Sequence, residues 1–147
     1  MNQNVGASFG LSVLIVMFFA NCEFACPIIV HDLKRLQQAL QDQVDFVLVT
    51  FDTERDTPDV LHAYRERMKL GTDHWTLLTG KAGDVRELAV LLGVNYQRDA
   101  RGQFAHSNLI TVLNAEGEII HRQVGLNQDP AETLAAIARL FPAKKAK

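Results

Sequence analysis

Leu11-Ser12-Val13-Leu14-Ile15-Val16-Met17-Phe18-Phe19-Ala20-Asn21-Cys22-Glu23-Phe24-Ala25-Cys26-Pro27 joins an apolar run directly to two cysteines and a proline. The run over residues 9–20 is β-branched and aromatic, the composition of a strand buried on both faces. Behind Pro27, residues 28–41 place Ile29, Leu33, Leu36 and Leu40 at helical spacing. The cysteines therefore fall at a strand-to-helix junction, and Pro27 limits how far the helix extends backward, which puts Cys22 on a loop. A targeting reading of the same run is disfavoured. No Lys or Arg precedes it, it is shorter than the ~20 residues of a membrane-spanning helix, and Asn21 stands where lipoprotein cleavage before Cys22 wants a small residue.

Outward from the junction, short apolar strands alternate with amphipathic helices. Residues 46–51 read as a second buried strand, followed by a polar connection over 52–58 and a helix opened by Thr57 and Pro58 that stops near Gly71. Residues 75–78 read as a strand and 84–92 as a helix ended by Gly93. The stretch 95–105 is polar and aperiodic, a surface loop or loose hairpin. Residues 109–113 and 118–124 form strands around the turn Asn114-Ala115-Glu116-Gly117, and a last helix is announced by Asp129 and Pro130 and runs to about Leu140. Parallel β-α-β units, an antiparallel hairpin and a closing helix match a thioredoxin-like α/β layout: a mixed sheet with helices on both faces. The 147 residues fit one domain, 1–147, with a core over about 9–140 and a basic tail, 142–147, read as a solvated end. A formal net charge of −2 sets nucleic-acid binding aside, since that needs clustered Lys and Arg.

Two cysteines are too few to staple a small scaffold, and this chain is long enough to build a core without them. Their position is the stronger signal. At the carboxyl end of a strand, the following helix offers unpaired N–H groups and the positive end of its dipole, which favour thiolates. The three residues between the cysteines permit a local disulfide, and also let both sulfurs face one ion. A pair of inert buried cysteines is the plainer alternative, but it gives no reason for a junction beside a proline.

Five histidines could add a third ligand. His31 and His62 lie on helices, and His74 and His121 suit structural roles beside or within strands. His106 ends the polar stretch just before a strand, where such a fold brings a loop against the cysteines. Two thiolates and one imidazole form a three-coordinate set suited to Cu(I), or with an added ligand to Cu(II). Asp52 and Asp56 share that edge. Asp56 reads as a turn and capping residue beside Thr57, with Arg55 paired locally, and the role of Asp52 stays open.

At this point the sequence resembles the Sco/SenC/PrrC proteins. Cys22-Glu23-Phe24-Ala25-Cys26-Pro27 is similar to that family's Cys-x-x-x-Cys-Pro motif. Phe51-Asp52-Thr53-Glu54-Arg55-Asp56-Thr57-Pro58 is similar to its Asp-Pro-x-Arg-Asp-Thr-Pro segment, with Thr53 in place of proline. Leu88-Ala89, Gly93-Val94-Asn95-Tyr96 and His106-Ser107 follow in order. The resemblance implies a copper protein using Cys22, Cys26 and His106, acting as a metallochaperone in cytochrome c oxidase assembly. Its implied partner is the copper-bearing subunit of the oxidase, with a copper donor or thiol reductant beside it, and its implied location is extracytoplasmic, such as a bacterial periplasm. Relative to that family the chain is expected to lack the N-terminal hairpin and membrane anchor. A thiol-disulfide oxidoreductase or redox sensor built on Cys22 and Cys26 is the alternative. A peroxidase is disfavoured, because Asn21 and Glu23 stand where Arg and Thr or Ser would activate peroxide.

Overall fold

The computed structural model describes residues 12–22 and 25–140. Leu11 and the residues before it, Glu23, Phe24, Phe141 and the tail 142–147 lie outside the described residues. A five-stranded sheet runs in the order β3-β2-β1-β6-β7. Its strands are β1 (Ser12–Phe18), β2 (Val44–Thr50), β3 (Trp75–Leu78), β6 (Leu109–Leu113) and β7 (Ile119–Val124). β1 pairs with β2 in parallel, from Ser12 opposite Val44 to Phe18 opposite Thr50, and with β6 antiparallel, Val13 opposite Leu113. All seven β1 side chains are buried, and the six from Val13 to Phe18 form the apolar run that the centre of a two-sided sheet requires.

Side-chain alternation along β7 assigns the helices to faces. His121 and Gln123 bond Thr133 of α4 (Ala131–Ala138), whereas Arg122 between them donates to the Leu92 carbonyl at the end of α3 (Ala82–Leu92). The helix α1 (Ala25–Leu40) packs beside α4, and Lys34 on it donates to the Met68 carbonyl of α2 (Pro58–Met68). Three helices thus share one face and α3 covers the other. This is the thioredoxin-like arrangement of a mixed sheet with helices on both faces.

Local differences from the sequence reading have plain causes. α1 begins at Ala25 rather than at 28, because Pro27 falls in the first turn, where its missing N–H has no intrahelical partner to lose. α2 stops three residues ahead of Gly71: Lys69 takes the left-handed conformation (φ 58°), and buried Leu70 returns its N–H to the Arg65 carbonyl at 2.9 Å. The stretch 95–105 holds a two-stranded hairpin, β4 (Tyr96–Arg98) and β5 (Phe104–His106), separate from the main sheet. The Thr57 hydroxyl accepts the Val60 N–H, as a helix-opening residue should, and Asp129 accepts the Ala131 N–H.

At the opposite end of the sheet from the cysteines, His74 clamps the entries of β2 and β3. Its Nδ1 lies 2.8 Å from Asp45 and its Nε2 3.1 Å from Asp42. The hydrogen bond to Asp45, helped by the Asp42 charge, raises its pKa above the ordinary 6.5 despite a smaller opposing effect of desolvation. A raised folded-state pKa stabilises fully below the unfolded value and ceases to do so as pH climbs through the folded one. Chemical denaturation of the parent between about pH 6 and about pH 8.5 is therefore expected to show stability falling with pH, and His74→Asn to flatten the slope. Equal slopes for the two proteins would remove the clamp from the stability account.

Candidate metal and redox site

The site begins where β1 ends. The chain turns over residues 19–22, with the Cys22 N–H donating to the Phe19 carbonyl at 3.2 Å. The Ala20 N–H is taken by a carboxylate oxygen of Asp56 at 2.9 Å, which also accepts the Thr50 hydroxyl at 2.6 Å. Asp56 is 2% exposed, so the turn and capping role expected of it is corrected. Its carboxylate points inward to fix the turn that leads to Cys22, because a buried carboxylate needs donors and the end of β1 supplies one.

Helix α1 then presents its amino terminus to the first sulfur: the Cys26 N–H donates to Cys22 Sγ at 3.3 Å. Cys22 is half-buried and Cys26 is buried beneath it. No disulfide links the two. The Cys26 thiol is pushed up from its ordinary pKa, first by the hydrogen bond it shares with Cys22, then by burial, with the Cys22 and Asp56 charges adding to the effect and the Phe19 backbone opposing it. A thiolate in this pair is therefore carried on Cys22, the accessible sulfur at the helix terminus.

His106 arrives from the end of β5 and lies against a pad of rings. Its centroid is 5.1 Å from that of Phe51 and 6.0 Å from that of Phe19. Phe51 in turn stacks on Tyr96 at 4.8 Å and meets Phe104 at 4.9 Å. Ring pairs at such separations contribute about 0.5–1.5 kcal/mol each beyond burial. His106 Nδ1 sits 2.9 Å from the Ser107 carbonyl, so it carries the proton and donates, leaving Nε2 as the nitrogen available to a ligand. Burial pulls the His106 pKa down, but hydrogen bonds to Cys22 and to the Ser107 carbonyl, with the Cys22 charge, outweigh it and the net shift is upward. One donor atom each from Cys22, Cys26 and His106 lies within 4.8 Å of the others.

Asp52, left open by the sequence, has a definite place. It is fully buried, with one carboxylate oxygen 2.6 Å from Arg55 Nε and the other 3.3 Å from Arg98 on β4. Thr50 joins the two aspartates, accepting the Asp52 N–H at 3.0 Å while donating to Asp56. Arg55, paired locally as expected, also donates to the Gly102 carbonyl at the hairpin tip. Gln103 reaches the Asn21 carbonyl at 3.2 Å.

The other histidines stay away: His31 and His62 are exposed on α1 and α2, His74 clamps two strand entries, and His121 bonds Thr133. Sequence reasoning missed Phe19, Phe51, Tyr96, Phe104 and Arg98. The signal open to it was the repetition of a phenylalanine directly after each of the first two strands. On the open side of His106 lies a cleft of about 540 Å³ lined by Tyr96, Gln97 and Ala105 among others, so the imidazole is reachable from solvent.

A thioredoxin-like fold whose Cys-x-x-x-Cys junction meets a histidine from a separate hairpin defines a class of dithiol proteins equipped with a third soft-metal donor. The family model described as SCO1/SenC matches residues 7–142, and this chain belongs to that family. A SCO1 homologue of Bacillus subtilis is 24% identical over 122 residues, covering 79% of this chain and 63% of that protein. The chain spans between half and two thirds of the length of the curated relatives it matches. Among solved structures, a SCO1/SenC family lipoprotein from Bacillus anthracis is similar with a TM-score of 0.81 at 23% identity, over 90% of this chain and 82% of that one. Copper-bound ScoI of Arabidopsis thaliana gives 0.76 at 19%, over 90% of this chain and 85% of that one. At these identities the likeness is one of fold.

The unequal exposure of the sulfurs gives a direct test. In the reduced, metal-free protein a thiol alkylating reagent is expected to modify Cys22 at least about tenfold faster than Cys26, as read by peptide mass mapping. Equal rates, or Cys26 first, would contradict the placement of the thiolate.

Proposed function

We propose that this chain binds one Cu(I) ion through Cys22, Cys26 and His106 and serves as a copper metallochaperone in the assembly of cytochrome c oxidase. The observation that carries the reading is the convergence of two sulfurs and one imidazole nitrogen within 4.8 Å. Soft thiolates with an imidazole suit Cu(I), whereas a site for a hard cation would be built of oxygens. The copper held by the Arabidopsis relative and the description of the Bacillus anthracis relative as a lipoprotein support copper as cargo and an extracytoplasmic location. On this reading the partner is the copper-bearing subunit of the oxidase, with a copper donor or thiol reductant acting before it.

The residues divide the work. Cys22, half-exposed, is the first sulfur an incoming or departing ion meets. Cys26 has to give up a proton that burial and its neighbour hold tightly, so copper entry releases protons and binding strengthens as pH rises. His106 keeps Nδ1 on the Ser107 carbonyl and presents its other nitrogen.

A second reading, thiol-disulfide oxidoreductase, is favoured by the accessible sulfur above a buried one. Cys22 thiolate would attack a partner disulfide and form a mixed disulfide, releasing one partner thiolate. Cys26, losing its proton, would then attack Cys22 Sγ, closing an intramolecular disulfide and releasing the second partner thiolate. The partner gains two electrons and the pair loses two. His106 has no part in that exchange, so it separates the readings.

Anaerobic titration followed by native mass spectrometry is expected to give about one Cu(I) per chain, with Cys22→Ser, Cys26→Ser and His106→Ala each weakening binding more than about tenfold. An unaltered affinity for His106→Ala would overturn the three-donor site. In a deletion strain, full rescue of oxidase copper content by His106→Ala with none by Cys22→Ser would replace the chaperone by the oxidoreductase.

A further inference from the structure

His106 reaches the dithiol on a hairpin that, among the described residues, no backbone ladder joins to the main sheet. Its strands are three residues each, and a two-stranded ribbon of that size has little stability of its own. Side chains therefore decide where the imidazole stands. Arg98 lies at the centre of them: its Nη2 is 3.3 Å from buried Asp52 and 3.7 Å from Glu54, and its guanidinium carbon is 5.2 Å from the Phe104 ring centroid. Phe104 is also its partner across the hairpin.

We infer that Arg98 is a positioning residue for His106, its pairing with Asp52 acting as a latch that holds the β4–β5 hairpin against the cysteine loop. Asp52 keeps Arg55 at 2.6 Å when Arg98 lets go, so opening the latch does not strand an unpaired carboxylate in the interior. The side chain of Arg98 is 44% exposed, so its guanidinium can exchange Asp52 for water. The sulfurs have a separate tether, the Asp56 bonds to Ala20 and Thr50, and stay in place. Arg55 on the Gly102 carbonyl and Gln103 on the Asn21 carbonyl still tether the hairpin tip, so release of Arg98 loosens the hold on His106 while the dithiol stays in place. The inference rests on the copper reading only for its consequence; the latch itself is a property of the metal-free protein.

Two measurements test it. Amide hydrogen exchange of metal-free Arg98→Ala is expected to be at least about tenfold faster across residues 96–106 than in the parent, with residues 13–18 unchanged. Competition for Cu(I) is expected to show Arg98→Ala weakening binding at least about fivefold in the parent but less than about twofold in a His106→Ala background, because the residue acts through the imidazole. Parent-like hairpin exchange would overturn the latch, as would an equal loss of affinity in both backgrounds. If His106→Ala alone leaves Cu(I) affinity unaltered, the copper reading fails while hydrogen exchange still decides the latch.

Discussion

Two buried carboxylates on one loop hold the site together. Asp56 fixes the turn after β1 and with it Cys22, and Asp52 grips the arginines that draw in the hairpin bearing His106. Thr50, the last residue of β2, bonds to both. The donors come from parts of the chain about eighty residues apart, and nothing in their own segments would bring them together. A buried carboxylate without donors is costly, so each aspartate enforces the geometry of whatever supplies its donors. The same cost that makes buried charge a poor source of stability makes it a strict source of position.

The sheet gives this loop its reach. Because β1 and β2 are parallel and in register from Ser12 and Val44 to Phe18 and Thr50, both strands end at one edge, and the loops after them are neighbours. Phe19 and Phe51 occupy matching places just past those ends, where the Phe51 N–H donates to the Phe18 carbonyl and extends the β1–β2 pairing. Their rings make the floor on which His106 stands. The amino terminus of α1 opens on the same edge and places a backbone donor on Cys22. Strand ends, helix dipole and ring pad thus define a half-buried pocket in which one sulfur is reachable and the other is not.

That asymmetry shapes the chemistry. Cys26 holds its proton tightly, which disfavours a doubly charged pair, and Cys22 is the sulfur that partners can approach. An imidazole whose Nδ1 is committed to a backbone carbonyl has a fixed tautomer and orientation. A soft ion and an attacking disulfide would both meet Cys22 first, so the two chemistries use one doorway and differ in whether His106 takes part.

Much of this was legible in order along the chain. The unbroken apolar run of β1 could be satisfied only by cover on two faces, which fixed its central place, and Pro27 marked the helix start to within three residues. The cysteine spacing and the isolation of His106 before β6 pointed to the donor set. What linear reading could not supply was orientation. Asp56 sits beside a capping threonine and reads as a surface turn residue, yet its carboxylate faces inward because the donor it satisfies, the Ala20 N–H, is thirty-six residues away. Arg98 reads as one more charge in a polar stretch, yet Asp52 gives it a buried partner forty-six residues upstream. By itself the sequence determined which residues have the chemistry and that they lie at strand ends, since periodicity and residue type are local properties. Tertiary structure alone decided which carboxylate holds which segment, because that depends on pairing buried charge with donors from distant parts of the chain.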